Sequence, residues 1–582
     1  MKTNERTGQV LTGTFRMTDL VIPGLVFIDG LALVLAAIFA HELRLDADTT
    51  WGGARVILLF LGLILISIAA FFNYSLHKRN TFFAPRLTSE TVKVLFSLAH
   101  IWVIVCVVYI WFITYGTWTT WNHTTGYYDL LAKAFDRGQL NVDINPGPAL
   151  LSVPNPYDPA YRPFFNGDIW DMSLYKGKLY LYWGPVPALL IAPLKLFIQS
   201  KITDNYLVFA FLAGLLVFDS LILVKLRKNI FPKIPAWHIF PAVLLVGLAA
   251  PILWSVSSPR VYEAAVASGQ LFLMGGIYFV LSALDQAGKI GKVQLFLAGL
   301  CWVCSVGSRA MDALMVIFLA GLVVLWLARS GGGPISRRNL IEGIGALMLP
   351  LIIGALAIAG YNWARFDSPL EFGLRYQITI LDINRQGGLL FLPRYFFPNF
   401  YVYLLRPFEV AAKFPFLYPT TPGDLIELHR SSSGIYFAGR MTGLLFCAPF
   451  LVFSLVHLHR GLPQKHKAAG SAFSYNLVTL LLAGTFVIGF LSLAFFYFGQ
   501  MRYLLDVISP LAILAVLGYW KMIAAWQGSN PIRYNLLRGF ANLLIVATIC
   551  ASVLLAFSGD YDRFKSLNPV LFERIAGLLT LR

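Results

Sequence analysis

Charged residues and cysteines are scarce in this sequence. Of its 582 residues only 13% are charged, whereas 58% are hydrophobic, and the mean hydropathy is +0.69. These values exclude an ordinary soluble globular domain. All the cysteines lie within apolar runs, so the sequence offers neither a disulfide framework nor a zinc site, and we interpret them as small packing residues. They are Cys106, Cys301, Cys304, Cys447 and Cys550.

Signatures of nucleotide-dependent and nucleic-acid-binding proteins are missing as well. No GxxxxGK motif followed by Ser or Thr is present, so no phosphate loop for a nucleotide is predicted. The net charge of +17 does not indicate nucleic-acid binding, because that would need a basic face on a soluble module. We therefore expect no nucleic-acid partner.

Long hydrophobic runs recur along the whole chain. Each is about 20 residues long and can cross a hydrocarbon core of about 30 Å as a helix. The alternating strands of a membrane barrel are absent. The sequence thus predicts an all-α polytopic membrane protein with thirteen transmembrane helices. The predicted spans are 21–41, 56–76, 94–116, 206–226, 238–256, 264–284, 293–308, 311–328, 340–361, 437–458, 474–497, 504–524 and 537–557.

The distribution of basic residues predicts the orientation. If the N-terminus is cytoplasmic, the loops on that side hold 22 lysines and arginines. The segment 117–180 on the other side has six acidic and five basic residues, as the positive-inside rule leads us to expect outside. No small-residue cleavage site follows the first apolar run, so we interpret it as a helix and not as a signal peptide. We expect a multi-pass protein of the cytoplasmic (inner) membrane, with its C-terminus outside.

One apolar stretch, residues 182–199, does not fit this count. Treating it as a span would invert every later loop and turn the basic cluster at 225–233 outward. We therefore predict an interfacial helix in the outer leaflet, kinked by prolines. The two long loops, 117–205 and 362–436, then lie on the same outer side.

Candidate proton acceptors lie in the first of these loops. Asp171 stands among aromatic residues that pack on the membrane, where a carboxylate can serve as a general base, although it could equally cap a helix or pair with Arg162. His123 titrates near neutral pH, but a hydrogen-bonding strut is the simpler interpretation. Asp129 belongs to a short amphipathic helix, on the face expected to point to water.

Four arginines stand at predicted outer helix ends, where the positive-inside rule expects few. Each could extend to lipid headgroups, but together with nearby tyrosines they favour an anionic, lipid-borne ligand, because guanidinium groups bind phosphate with two hydrogen bonds. They are Arg260, Arg309, Arg365 and Arg502. Within the spans, Asp29 and Asp219 are costly in hydrocarbon and therefore functional candidates by default. We expect a structural role for Asp29.

The order of these segments resembles the GT-C superfamily of membrane glycosyltransferases, which includes protein mannosyltransferases and the lipid A aminoarabinose transferase. The pieces that match are GYYDLLAKAFDRGQL, KLYLYWGPVPALLIAP, SPRVYEAA, YNWARFDSPLEFG and RYLLD, which lie within residues 94–510. The resemblance implies a catalytic module at 92–510, after an accessory hairpin at 1–91 and before a C-terminal helix and tail at 511–582.

The resemblance also implies roles for particular residues. In the family, an acidic residue a few positions before a tyrosine pair acts as the base. The tyrosine pair here is Tyr127 and Tyr128, but the positions expected for the base, 122–124, hold Asn, His and Thr. The role of the base therefore passes to Asp171, Asp129 or His123. The phosphate-binding arginines of the family correspond to Arg365 and Arg502, with Arg260 and Arg309 as further candidates. Other substrate contacts are expected from Tyr128, Arg162, Tyr175, Glu263, Tyr361, Asn362 and Tyr503.

The function implied is that of an inverting glycosyltransferase. A sugar would pass from a polyprenyl-phosphate carrier to an envelope glycan, lipid or protein acceptor at the outer face. The sequence identifies no cofactor, and it leaves open whether a divalent metal assists the reaction. The leading alternative is a transporter or flippase of lipid-linked glycans, which would place charges at mid-bilayer and show paired halves. A structural subunit of an envelope complex would leave the clustered arginines unexplained.

Overall fold

The computed structural model describes most of the chain as helices with three small two-stranded sheets. The described residues are 17–43, 45, 49, 51, 53–77, 89–121, 125–164, 169–198, 200–285, 290–329, 336–420, 435–458 and 474–579. The strands are β1 Met172–Tyr175, β2 Lys178–Leu181, β3 Glu409–Val410, β4 Leu417–Tyr418, β5 Phe437–Ala438 and β6 Phe498–Gly499.

The helices in the first half of the chain are α1 Val21–Ile38, α2 Gly53–His77, α3 Glu90–Ile113, α4 Tyr127–Asp136, α5 Pro148–Ser152, α6 Val186–Lys195, α7 Asp204–Ile230, α8 Ile239–Leu248, α9 Ala250–Ser257 and α10 Val261–Leu284. Those in the second half are α11 Lys292–Ser308, α12 Ala313–Arg329, α13 Arg337–Phe366, α14 Ile383–Gln386, α15 Phe396–Phe400, α16 Leu444–Cys447, α17 Tyr475–Ala494, α18 Leu505–Trp526, α19 Pro531–Ser558, α20 Arg563–Leu567 and α21 Pro569–Leu579.

Ten helices of the described chain are long and apolar enough to cross a membrane. The number becomes eleven if α8 and α9, which meet at a 45° bend, form one broken span. Pro251 explains this break, because proline lacks the backbone N–H that would continue the helix to Gly247 O, and its ring clashes with that carbonyl. The protein is thus a multi-pass membrane protein, as predicted.

The predicted number of thirteen spans is not confirmed. The stretch 293–308 forms α11, which has 17 residues and a length of about 25 Å, short of a hydrocarbon core. The stretch 437–458 is divided among β5, α16 and the 3-10 helix Pro449–Leu458, so it is not one spanning helix. Both stretches are apolar enough to resemble spans in sequence, but hydropathy does not report where a helix breaks.

The chain divides into two compact units. The first comprises residues 1–104 and 117–119, and it holds a hydrogen bond between the apolar helices, joining Asp29 Oδ2 and His100 Nε2 at 2.6 Å. Asp29 therefore has a partner that the sequence did not reveal. The second unit comprises residues 105–116 and 120–582, so the C-terminal segment 511–582 falls within it.

Helix α6 contains the apolar stretch that did not fit the predicted topology. Its ten residues reach about 15 Å, roughly half of a hydrocarbon core. Three of its leucines, Leu189, Leu190 and Leu194, are exposed. An apolar helix of this length with an exposed leucine face suits the edge of a bilayer and not its crossing.

Backbone pairing joins the two long loops. Strands β1 and β2 form a hairpin, and the backbone N–H of Asp171 donates to Ile378 O while the N–H of Ile378 donates to Met172 O, at 2.9 and 2.8 Å. Ser173 also forms a bridge with Gln377. The described parts of the two long loops therefore meet at this pairing.

Candidate active site

A cavity of about 1420 Å³ lies in the second unit, between the ends of several helices and the second long loop. This volume exceeds the range of about 300–1,000 Å³ that is typical of small-molecule sites. One end is polar and aromatic, with Tyr182, Trp183, Tyr262, Arg309 and Tyr503. A second part of the lining is apolar and comes from the spanning helices α12 and α17, through Leu314, Ile488, Leu491 and Leu493. The loop at 370–393 supplies a further part.

Arg309 is the cationic group at the polar end. It follows α11 in an extended conformation, and its backbone N–H closes that helix on Ser305 O. Its Nη2 donates to Asp506 Oδ2 at 2.6 Å, while its buried Nε has no hydrogen-bond partner among the described residues. Burial lowers the pKa of Arg309, but the charges of Asp506 and Asp312 raise it by more, so the guanidinium stays protonated. The described residues thus leave one N–H of this buried cation without an acceptor.

Tyr262 forms the centre of the polar end. It is the second residue of α10, and its hydroxyl donates a short hydrogen bond to Asp171 Oδ2. The guanidinium carbons of Arg502 and Arg260 lie 4.3 and 5.6 Å from the centre of its ring. Such cation–π contacts hold the ring in place, so its hydroxyl keeps a fixed position at the cavity.

Asp171 is positioned by the strand pairing between the loops. Its φ of 60° places it in the left-handed region, which aspartate tolerates better than most residues. The backbone hydrogen bond to Ile378 holds this conformation, and only 7% of the residue is exposed. The carboxylate is therefore directed onto the Tyr262 hydroxyl and not into bulk solvent.

Close backbone contact places the aromatic residues beside Arg309. A Cβ at Gly184 would lie 2.0 Å from the carbonyl oxygen of Gly307, so only glycine allows this approach. Trp183, just before it, packs edge-on against Tyr262 with ring centres 5.2 Å apart. Burial raises the pKa of Tyr182, and the charge of Asp171 adds to this effect. The tyrosine therefore presents a neutral hydroxyl at neutral pH.

Asp129 does not lie on a solvated face, contrary to the sequence-based expectation. It is fully buried, and its oxygens are 2.9 Å from the ammonium groups of Lys133 and Lys195 and from the N–H of Ile202. The pair with Lys195 joins α4 to α6. Burial raises the pKa of Asp129, but the hydrogen bonds from Ile202, Lys195 and Lys133 outweigh it, so the pKa lies below its usual value. These partners favour a structural role.

We predict that Asp129→Asn destabilises the protein by about 3–5 kcal/mol, because it leaves the buried Lys195 ammonium without its counter-ion. Since the pKa is lowered in the folded state, the ion pair stabilises the protein above the unfolded pKa of about 3.9 and loses this effect as the pH falls through the folded value. Thermal unfolding in detergent at neutral and acidic pH tests both points. Asp143→Asn removes an exposed ion pair with Arg137 and should change little. Equal melting temperatures for the two variants would contradict the prediction.

Arg365, a predicted phosphate ligand, is not among the described residues that line the cavity. It is 3% exposed, and its guanidinium donates to Leu181 O and to Asn362 Oδ1 at 2.7 and 2.8 Å. It also stacks on the Tyr361 ring, 3.9 Å from the ring centre. Arg365, Tyr361 and Asn362 together fasten the end of α13 to β2, and none of them enters our proposal for phosphate binding.

Arg260 and Glu263 cap helix α10. The Arg260 backbone N–H donates to Glu263 Oε2 at 3.1 Å, and its guanidinium pairs with Glu263 and with Asp560, at 2.7 Å to the latter. Burial lowers the pKa of Arg260, but Glu263 and Asp560 together raise it by more. With both carboxylates as partners, Arg260 supports the helix start behind Tyr262.

The other predicted substrate contacts are scattered. Tyr128 is fully buried in α4 with no hydrogen-bond partner for its hydroxyl among the described residues. The Tyr175 hydroxyl donates to Asp367 at 2.7 Å, outside the cavity lining. Arg162 lies in the 3-10 helix Pro159–Phe164, and His123 lies outside the described residues. Only Tyr503, Arg309 and, through Tyr262, Asp171 come together at the cavity, with Arg502 packed behind them.

The sequence-based site omitted several residues that the cavity brings together. Tyr262 and Asp506 lie within the SPRVYEAA and RYLLD segments, so their position beside the arginines was the signal that could have found them. The lining at 370–393 has no comparable motif. Among the described residues no group of three or more His, Cys, Asp or Glu side chains is arranged to hold a metal.

No protein-family model and no curated protein sequence matches this chain. Among solved structures, ArnT from Cupriavidus metallidurans bound to undecaprenyl phosphate is similar at 10% identity and a TM-score of 0.38, over 82% of this chain and 78% of that one. The apo oligosaccharyltransferase of Archaeoglobus fulgidus is similar at 12% identity and a TM-score of 0.38, over 83% of this chain and 59% of that one. This chain thus spans less than two thirds of the second protein, and the likeness concerns the fold alone.

Proposed function

We propose that the protein is an inverting glycosyltransferase that takes its sugar from a polyprenyl-phosphate carrier. One observation carries the proposal: a single large cavity combines an apolar wall of membrane-spanning helices with a buried arginine at its polar end. A ligand that fits both parts has a long apolar chain joined to an anion. Lipid-linked phosphate sugars have this chemistry.

We propose that the phosphate group of the donor binds to Arg309. A guanidinium in a buried site binds phosphate oxygens through charge-assisted hydrogen bonds, and its charge cannot be lost near neutral pH. The apolar residues of α12 and α17 begin immediately beside it, where the prenyl chain would lie. Because Arg309 lines the cavity, we propose that its guanidinium donates to the phosphate oxygens.

The proton of the acceptor hydroxyl is proposed to leave through Tyr262 and Asp171. As the acceptor oxygen bonds to the anomeric carbon, its proton passes to the Tyr262 oxygen while the Tyr262 proton passes to the Asp171 carboxylate. The bond from the anomeric carbon to the phosphate oxygen breaks, and its electron pair stays on the phosphate, where Arg309 stabilises the added charge. Asp171 returns the proton to solvent afterwards. A single displacement inverts the anomeric configuration.

The acceptor and the membrane side also belong to the proposal. We place the cavity at the outer face of the cytoplasmic membrane, because the basic residues predict that orientation. The loop at 370–393 adds polar side chains to the cavity lining, including Glu371, Arg375 and Asn384. Such a lining suits a hydroxylated acceptor, which we propose to be an envelope glycan, lipid or protein.

Turnover of defined donors tests the function. Purified protein in nanodiscs is given a panel of polyprenyl-phosphate sugars with membrane extract as acceptor source, and released polyprenyl phosphate and the anomeric configuration of the product are measured. We expect release from at least one donor, with inversion. Movement of intact donor across a proteoliposome membrane without any release would instead support the transporter and overturn the proposal.

A further inference from the structure

Two carboxylates surround the single guanidinium of Arg309. Asp506 accepts its Nη2 hydrogen bond, and Asp312 lies three residues on, with its backbone N–H donating to Arg309 O at 3.0 Å. Asp506 and Asp312 are 3% and 0% exposed, and each has one oxygen, Oδ1, without a hydrogen-bond partner among the described residues. The cluster therefore has more acidic than basic groups at the point where an anion is proposed to bind.

Neither carboxylate can readily move away. Asp312 accepts a hydrogen bond from Ser305 Oγ at 2.7 Å, and its Oδ2 would lie 2.5 Å from a Cβ at Gly269, so α10 packs directly against it. Asp506 lies in the first turn of α18, a helix that is buried along most of its length. Both side chains are thus held near Arg309 whether or not a ligand is present.

The charge of the bound phosphate changes during the proposed reaction. The donor is a phosphodiester with one negative charge. The product, polyprenyl phosphate, is a monoester, and such a group carries about −1.5 to −2 charges at pH 7 because its second pKa is about 6. An arginine alone would hold the product more tightly than the donor, and turnover would stall on product release.

We infer that Asp506 and Asp312 act as positioning residues that weaken the binding of a phosphate monoester at Arg309 relative to a diester. Asp506 competes for Nη2, and both carboxylates repel the second charge of the monoester more than they affect the single charge of the diester. The pair thereby favours release of polyprenyl phosphate and entry of the next donor. This inference rests on the proposed function, whose site it uses.

Equilibrium binding of two probes tests the inference without turnover. Farnesyl phosphate and its methyl ester, a monoester and a diester with the same chain, are titrated against the full-length protein in nanodiscs at pH 8. In Asp506→Asn and in Asp312→Asn the monoester should bind about tenfold more tightly relative to the diester than in the wild type. Asp285→Asn is the matched control, since Asp285 pairs with Lys225 at the far end of α10. The ratio of its affinities for the monoester and the diester should equal that of the wild type.

The outcomes separate this inference from the proposed function. An unchanged or lower monoester-to-diester preference in both variants would overturn the inference, even if the wild type transfers sugar. If the two carboxylates had a purely structural role, their replacement would weaken the binding of both probes together and lower the melting temperature. If Asp506→Asn does not fold, Asp312→Asn decides the question. A wild type that releases polyprenyl phosphate from no donor rejects the proposed function, while the probe ratio still decides how the carboxylates act on the phosphate site.

Discussion

Replacing Asp171 with asparagine should lower the rate of sugar transfer by about 10²–10⁴-fold, the range for loss of a positioned general base. The amide cannot take a proton from the Tyr262 hydroxyl, although it can still accept a hydrogen bond from it. Because Asp171 lies behind Tyr262 and not at the phosphate, the KM for the donor should change little. Release of polyprenyl phosphate by purified protein in nanodiscs measures both constants.

Two further variants make the test specific. Tyr262→Phe keeps the ring between the guanidinium groups but removes the hydroxyl, so it should reproduce most of the loss. Asp367→Asn changes a nearby exposed carboxylate that also has a positive φ and that pairs with Lys176, outside the cavity lining. It should keep wild-type activity. Wild-type turnover in Asp171→Asn and Tyr262→Phe would remove the proposed proton path.

Replacing Arg309 with alanine should lower kcat by about 10²–10³-fold, as expected when a donor that stabilises developing charge is lost. Alanine also leaves Asp506 buried without its partner, so the variant will be less stable. Arg309→Lys keeps a charge for Asp506 but offers only a point charge to the phosphate, and it should recover part of the activity and most of the stability. Rates are therefore compared per folded protein.

The matched control for Arg309 is Arg385→Ala. Arg385 is 67% exposed and pairs with Asp158 and Asp382, and it is absent from the described cavity lining. This variant should transfer sugar normally. Equal activities of Arg309→Ala and Arg385→Ala would show that the donor phosphate is bound elsewhere.

Hydropathy predicted the membrane architecture well, because crossing a bilayer needs length and apolar composition. Both properties can be obtained from the sequence alone. It failed where those properties occur without a continuous helix. Residues 437–458 are apolar but fold into short pieces, and α11 stops at Ser308 so that Arg309 can turn towards Asp506. Such breaks depend on tertiary partners, and hydropathy carries no information about them.

The candidate site was partly predictable for a similar reason. Charged groups at the ends of apolar helices are costly, so Arg309 and Arg502 could be identified before their neighbours were known. Asp171 could be identified because it is a carboxylate among aromatic residues of a membrane-facing loop. Asp129 was interpreted as solvated because its decisive partner, Lys195, is distant in sequence. Arg365 was interpreted as a ligand because its burial against β2 depends on a contact with Leu181, which no local pattern reveals.

The polar end of the cavity draws on residues far apart along the chain, from Asp171 in the first loop to Tyr503 just before α18. A chain emerging from the ribosome therefore lacks a complete set of these groups until α18 has been inserted. Premature termination anywhere before that helix would yield a membrane-inserted fragment that lacks part of the candidate site.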